Sequence, residues 1–457
     1  MKIIKKAKTN ASLFINGITK RSYKNMHDEA TSSKNTTHND YLPRVADAIL
    51  QEKLKSAGAV QLKGPKWCGK TSTAERAAKS MLFMQDPDEG PNLIALANTK
   101  PSLLLEGETP RLIDEWQVAP QLWDAVRYYI DRNKKRGQFI LTGSSTPKDE
   151  TKPQHSGVGR ITRMKMRTMS LFETGESSGA ISLKALFEGQ DEVAALANFD
   201  INDIAFAICR GGWPAAVTEL NQKIALQMAR DYIDELIESD IEQMDDKTRN
   251  KTWMRHLLRS YARNISSEAN FSTIAADMSG EELSRTTIND YIDVLTRACV
   301  IEDISAWSVR LRSKTAIRTT PTRHFCDPSI AAALMGATPE KLLGDFNTFG
   351  LLFESLCVHD LRVYMDALEG EVFHYRDKTS LEADAVLELK NGKWALIEVK
   401  LGSLAFDEAA KHLIKLAKKI DDKVQGKPSF LMVLTGTNAA YTRKDGVHIV
   451  PLACLKA

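Results

Sequence analysis

The sequence predicts an α/β protein in three regions: a parallel-sheet domain, a mainly helical middle and a second, smaller α/β domain. Three observations predict this. From Tyr41 to about Gly175, short apolar runs alternate with helical patterns. Between the first run and the first helix lies a glycine- and lysine-rich octet, Gly64 to Thr71. From Leu351 the order is helix, strand, strand, an Asn391-Gly392 turn, strand, helix and two further strands. The expected regions are 1–40 (a basic leader), 41–182, 183–343 and 344–457, since 457 residues exceed the roughly 100–200 of a typical domain.

In the first domain, Ala59 to Lys63 reads as a strand. Ser72 to Met84 reads as a helix from its Ala, Lys and Arg content. Leu112 to Asp114 and Phe139 to Thr142 read as buried strands around a helix from Gln121 to about Asn133. The middle is expected to carry a long helical stretch, Ile224 to Met244, and two short helices, Phe271 to Met278 and Arg285 to Ala298. The apolar run Cys299 to Ile304 follows them, so helix, turn, helix and strand suggest a winged helix. Gly344 to Gly350 reads as a loop into the last domain, which holds a helix (Leu351 to Leu368), strands (Glu371 to Tyr375, Asp384 to Leu389, Trp394 to Lys400), a helix (Phe406 to Ile420) and strands (Phe430 to Leu434, Val447 to Val450).

Composition narrows the function classes. The net charge of +3 sets 62 basic against 59 acidic residues, too balanced to mark a nucleic-acid binder by itself. Six scattered cysteines have neither the spacing of a zinc site nor that of a disulfide framework, which fits a reducing cytoplasm. No apolar stretch approaches the roughly 18 residues of a membrane span, so no membrane partner is expected. Residues 1–40 read as a flexible, solvated basic leader able to meet phosphates, with Met26 as an alternative start.

The octet Gly64-Pro65-Lys66-Trp67-Cys68-Gly69-Lys70-Thr71, followed by Ser72, satisfies the phosphate-loop pattern in its required strand-to-helix context. Backbone N–H groups and the helix N-terminus can cradle phosphate, Lys70 can reach the β and γ phosphates of ATP, and Thr71 can ligate Mg²⁺. The strand ending in Asp114-Glu115 supplies a second Mg²⁺ ligand, Asp114, and a residue to polarise the attacking water, Glu115. Thr142 and Ser144, at the end of the next strand, can sense the γ phosphate. Arg160 can stabilise transition-state charge, in cis or on an adjoining subunit of a homo-oligomer, or serve as a plain structural arginine.

In the C-terminal region, Asp384 precedes a hairpin and Ile397-Glu398-Val399-Lys400 follows it. Strand alternation puts Glu398 and Lys400 on one face. Asp384 and Glu398 can bind Mg²⁺ or Mn²⁺, Lys400 can position the hydrolytic water, and Glu354 on the preceding helix can complete the site. Charged alternation on an exposed strand gives the same pattern with no catalysis.

The order of elements around these residues resembles the PD-(D/E)XK nuclease core, which implies metal-dependent phosphodiester cleavage; the proline that often precedes the first acid is missing before Asp384. From Tyr41 onward the chain resembles the prokaryotic AAA-type P-loop ATPase family with a C-terminal nuclease-like domain of unknown function. The resemblance rests on Gly64 to Thr71, Leu112 to Gln117, Phe139 to Ser145, Ser170 to Glu173, Gly211 to Pro214, Phe325 to Pro328 and Ile397 to Lys400. It implies an AAA-type sheet domain, a winged-helix middle, a restriction-endonuclease-like α/β domain and ATP binding.

Two functions follow as expectations. One is an ATP-regulated DNA-processing enzyme; the other is a nucleotide-dependent switch whose C-terminal domain only recognises DNA or a protein partner. For either, the helix Arg285 to Arg297 is the candidate DNA reader, and Arg310, Arg312, Lys314, Arg318 and Arg323 are candidate phosphate contacts. A transporter ATPase is disfavoured by the missing spans and signature motif.

Overall fold

The computed structural model describes residues 41–143, 157–241, 249–278, 284–308, 320–377, 381–420 and 425–457. The expected leader, Ser144 and the basic residues Arg310 to Arg318 lie outside these segments.

A five-stranded, wholly parallel sheet is built from β1 (Ala59–Lys63), β2 (Ser80–Phe83), β3 (Arg111–Asp114), β4 (Phe139–Thr142) and β5 (Ile161–Lys165), in the order β2-β3-β4-β1-β5. Its inner strands β1, β3 and β4 read as apolar runs because both faces are covered. Ala59, Ile113, Phe139 and Leu141 enter one core, and Val60, Leu62, Leu112 and Ile140 enter the core on the other side. The helix expected over Ser72 to Met84 ends instead at Ala77, and residues 80–83 form β2. Leu82 packs inward there while Met81 and Phe83 face out. That period of two overrides the helix-favouring composition.

A seven-stranded mixed sheet has the order β7-β12-β13-β11-β10-β9-β8, made of β7 (Ala194–Leu196), β8 (Gly370–Arg376), β9 (Glu382–Leu389), β10 (Trp394–Lys400), β11 (Leu431–Thr435), β12 (Ala439–Thr442) and β13 (His448–Pro451). A two-stranded sheet pairs β6 (Ile181–Ser182) with β14 (Leu455–Lys456). Residues 181–196 therefore complete sheets whose other strands lie beyond residue 370, and the expected boundaries at 182/183 and 343/344 cut through this pairing. Pro43–Ala457 forms a single compact unit.

The helix Phe346–Ala367 and the helix Phe406–Lys419 enclose the larger sheet from opposite sides. The former shares a core with Ala385, Leu387, Ala395 and Ile397, the latter with Val386, Trp394, Leu396 and Val433. The loop expected over Gly344 to Gly350 is displaced by the start of the first helix. Asp345 caps it, accepting hydrogen bonds from the Thr348 amide and hydroxyl.

Between the sheets the chain is mainly helical; in the long stretch from Ile224 the α-helix Gln222–Glu235 continues as a five-residue π-helix, Leu236–Asp240, and the rest, to Met244, runs beyond the described residues. The helices Lys251–Arg263, Phe271–Asp277 and Arg285–Arg297 follow. Isolated antiparallel bridges then join Ile301 to Phe325 and Ile304 to Thr322. No described helix is long and apolar enough to cross a membrane.

Candidate functional site

Two clusters of chemistry-bearing residues come together. The first lies where β1 runs into the helix Lys70–Ala77. Gly64 is required by proximity, since a Cβ there would sit 2.1 Å from the Met166 carbonyl oxygen. Gly69 caps the helix at φ +94°, where only glycine is unstrained. Pro65 and Lys66 continue the loop; Trp67 is exposed at φ +63°, its ring edge-on to Tyr232 at 5.6 Å, and Cys68 turns inward. Ser72 is exposed in the first helical turn.

Lys70 is buried and donates to the carbonyls of Gly64 (3.1 Å) and Pro65 (2.7 Å). Its ammonium is folded back onto the loop that would wrap a phosphate. Register places Asp114 of β3 beside Thr142 of β4. Thr71 Oγ1 donates to Asp114 Oδ1 at 2.9 Å, and Thr142 Oγ1 donates to the same oxygen. A hydroxyl and a carboxylate at this spacing fit a hard cation that takes oxygen ligands. Glu115 is held in the left-handed region at φ +52°, with its carboxylate accepting from Gln117 Nε2. Burial pushes its pKa up, the Gln117 hydrogen bond opposes this, and neighbouring Asp114 pushes it up further.

Arg160 is not brought to this cluster. It precedes β5, and its carbonyl accepts from the amide of Ala59 at the start of β1, whereas the loop follows the far end of β1. Because the strands run parallel, the arginine and the phosphate loop stand at opposite ends of the strands. Arg160 pairs with Asp131 at 2.7 Å, so a role in cis is excluded by geometry.

Sequence reasoning missed Arg44 and did not assign a role to Glu173. Arg44 is buried and donates to Cys68 O (2.9 Å), Arg167 O (2.8 Å) and Glu173 Oε1 (3.1 Å), clamping the phosphate loop from behind. Glu173 also accepts from the amides of Val45 and Ser170. Glu173 stood inside a recognisable segment, but a lone arginine before the first helix carries no pattern. A fully satisfied hydrogen-bond set then leads on from this segment. The Leu171 amide donates to Asp360 Oδ2, and Thr168 Oγ1 bonds His359, both on the helix Phe346–Ala367.

The second cluster gathers at one end of β9 and β10. Glu398 is buried, and Lys400 Nζ lies 2.9 Å from Glu398 Oε1 and 3.7 Å from Asp384 Oδ2. Asp384 also accepts from the Val399 amide at 2.7 Å, which fixes it across the strand pair. Half-buried Glu354, on the helix Phe346–Ala367, feels the charges of Asp384, Lys400 and Glu398. His412, on the helix Phe406–Lys419, approaches Glu398 at 3.9 Å, and nothing in the sequence pattern pointed to it.

Burial, reinforced by mutual repulsion, raises the pKa of Glu354 strongly and that of Glu398 to about 8. Asp384 is raised by burial despite Lys400. Glu398 Oε2 is buried without a hydrogen-bond partner. Three carboxyl groups around one ammonium, with an oxygen left over, fit a divalent cation bound through oxygen. Among the described residues no three His, Cys, Asp or Glu side chains form a ready-made metal cage. A cation here would therefore rest on Asp384, Glu398 and non-protein or backbone oxygens.

Residues 56–175 match the family model of the AAA domain. That segment is an AAA-type P-loop domain. Residues 201–341 and 349–455 match two domains of unknown function, DUF8612 and DUF4143. The uncharacterized proteins Mb2031c of Mycobacterium bovis (strain ATCC BAA-935 / AF2122/97) and Rv2008c of Mycobacterium tuberculosis (strain ATCC 25618 / H37Rv) are each 22% identical over 417 residues, 86% of this chain and 85% of theirs. Among solved structures, the Walker-type ATPase PABY2304 of Pyrococcus abyssi is 13% identical, with a TM-score of 0.41 over 66% of this chain and 97% of its own. PCH-2 of C. elegans is 16% identical, with a TM-score of 0.18 over 55% of this chain and 66% of its own.

Proposed function

We propose that this protein is an ATPase whose nucleotide state governs a metal-dependent, DNA-cutting site in its C-terminal region. The observation that carries the reading is the convergence of Asp384, Glu398 and Lys400 on adjacent strands, with Glu398 Oε2 buried and unpartnered. The arrangement of acid, hairpin, acid and lysine supports a PD-(D/E)XK-like assignment for 344–457.

At the first site, Lys70 exchanges the Gly64 and Pro65 carbonyls for the β and γ phosphate oxygens of ATP. Thr71 and Asp114 would hold Mg²⁺, which supplies charge neutralisation at those oxygens. Glu115, oriented by Gln117, accepts the proton of the attacking water, and Thr142 turns the hydroxyl it now gives to Asp114 onto the γ phosphate. Arg160, exposed and remote in cis, would serve only a neighbouring copy in a homo-oligomer, after release from Asp131.

At the second site, Asp384 and Glu398 would hold Mg²⁺ or Mn²⁺, which supplies Lewis-acid activation of a phosphodiester. Lys400 orients the hydrolytic water, and Glu354 sets the charge of the surround. The three helices Lys251–Arg263, Phe271–Asp277 and Arg285–Arg297, followed by the bridges at Ile301 and Ile304, support a winged-helix reading of the middle as a DNA contact. Of its proposed phosphate contacts, Arg323 is engaged by Asp303, which disfavours it in that role.

A second reading has its own observation. The Lys400 ammonium is already closed onto Glu398 at 2.9 Å, as a structural ion pair would be. In that case the C-terminal region binds DNA or a protein and does not cut. The deciding experiment offers supercoiled, linear and single-stranded DNA with Mg²⁺ or Mn²⁺, with and without ATP, to the wild type, Lys70→Ala and Lys400→Ala. Cleavage lost in Lys400→Ala and altered by ATP or by Lys70→Ala is expected. ATP hydrolysis without any Lys400-dependent cleavage would establish the switch instead.

A further inference from the structure

The second site is short of positive charge for the substrate proposed for it. Glu354, Asp384 and Glu398 face a single ammonium, Lys400, which already lies 2.9 Å from Glu398 and 3.7 Å from Asp384, so the site's own cation is committed before a phosphodiester arrives. Attraction has to come from beyond the site. The helix Phe406–Lys419 borders it: His412 reaches toward Glu398, while Phe406, Ala409, Ala410, Leu413 and Leu416 bury the opposite arc against the sheet.

Lys411, Lys415 and Lys418 occupy the solvent face of this helix, all exposed. Spacings of four and three residues align them in one row about 10 Å long beside His412. None of the three makes an ion pair or hydrogen bond among the described residues. Among the described residues, two acids near the row are committed elsewhere. Asp407 is taken by Arg443, and Asp377 is taken by Lys419. Glu408, in the first turn, is the one other exposed acid of the helix. Like charges four residues apart repel and weaken a helix on their own, so the row is unfavourable until a polyanion lies along it.

We propose that Lys411, Lys415 and Lys418 form a rail that holds the nucleic-acid backbone as it enters the Asp384–Glu398–Lys400 site. This rests on the DNA reading above and names the surface that would deliver the substrate. Phosphates bind the lysines as point charges, without sequence preference.

The test measures binding of labelled duplex DNA to the full chain in chelator, where no cut is made, across a series of salt concentrations. Lys411→Gln/Lys415→Gln/Lys418→Gln should bind at least 10-fold more weakly at low salt. Its log–log salt slope should be shallower by roughly 2–3, near 0.9 for each phosphate that the lysines no longer neutralise. ATP binding should be unchanged, and the corresponding triple arginine variant should restore both affinity and slope. If the glutamine triple folds poorly, the single variants should each lose close to one-third of that slope change.

A wild-type slope that survives neutralisation overturns the rail, as does a wild type that binds no DNA. Loss of binding to anionic phospholipid vesicles with DNA binding intact overturns it in favour of a lipid surface. The two readings fail separately. Lysine-dependent binding with no cleavage leaves the rail and removes the nuclease; cleavage indifferent to these lysines does the reverse.

Discussion

The phosphate loop and the C-terminal acidic cluster are charged in opposite senses. In the first, polar groups are satisfied within the protein: Lys70 by two carbonyls, Asp114 by two hydroxyls, Arg44 by two carbonyls and a buried carboxylate. Gln117 Oε1, beside Glu115, is buried without a partner there. In the second, three carboxyl groups are pushed up together and one buried oxygen has no partner. The phosphate-loop lysine is neutralised within the protein, whereas in the acidic cluster a buried carboxylate oxygen is left without a partner. Burial accounts for the difference, because charge of one sign is costly in a low-dielectric setting until it is neutralised.

The largest expected effect tests the first half of this contrast. Lys70→Ala should lower ATP hydrolysis by roughly 10³-fold, as losing a preorganised charge at a reacting phosphate does. Cation binding at the C-terminal site, read by calorimetry, should be untouched. Coupled loss of both would show that the two sites share one charge balance.

Arg44→Ala should cost about 3–5 kcal/mol of stability in denaturant unfolding, because it leaves buried Glu173 unpaired. Adding Glu173→Gln should recover part of that loss. A cost under about 1 kcal/mol would mean the loop is not clamped from behind.

Glu398 gives a pH signature. Its folded pKa, about 8, lies above its ordinary value, so the folded state holds the proton more tightly. Stability in chelator is therefore greatest below the unfolded value near pH 4.5 and falls as pH rises through about 8. The total change is on the order of 5 kcal/mol across that window, and Glu398→Gln should remove the share of Glu398 while leaving that of Glu354 and Asp384. Saturating Mg²⁺ should flatten it in the wild type, and a slope unaltered by either change would remove Glu398 from the site.

The smallest effect concerns Arg160. Its substitution by alanine should alter hydrolysis less than about 2-fold in dilute monomeric protein, given its position across the sheet and the low worth of an exposed pair. A drop of roughly 10²-fold or more that emerges only at assembling concentrations would place the residue in a neighbour's site.

Much of this was legible in the sequence, for identifiable reasons. β1, β3 and β4 sit in buried parallel positions and so read as plain apolar runs. Asp384, Glu398 and Lys400 meet because the turn Leu389–Gly392, with Gly392 at φ +83°, sets the register of β9 against β10. β2 was hidden because four residues of alternating burial sit within a composition that favours helix. Arg44 and His412 were hidden because their roles depend on approach from elements distant in sequence, for which no local spacing exists. Of the roles open to Arg160, the one in cis depended on which end of β5 it occupies, and that follows from strand direction, which no local spacing carries.

The two-stranded sheet of β6 and β14 bears on how the molecule comes to be folded. Ser182 Oγ donates to the Ala457 carbonyl across 275 residues, and the Val193 amide donates to Thr442 across 249. Pairings of such long range are made late, because loop closure must be met before the pairing rewards it. The region directly after the five-stranded sheet thus waits on residues 249 to 275 positions further along the chain. A chain stopped short of β12 would expose the edges of β6 and β7, and with them a template for aggregation.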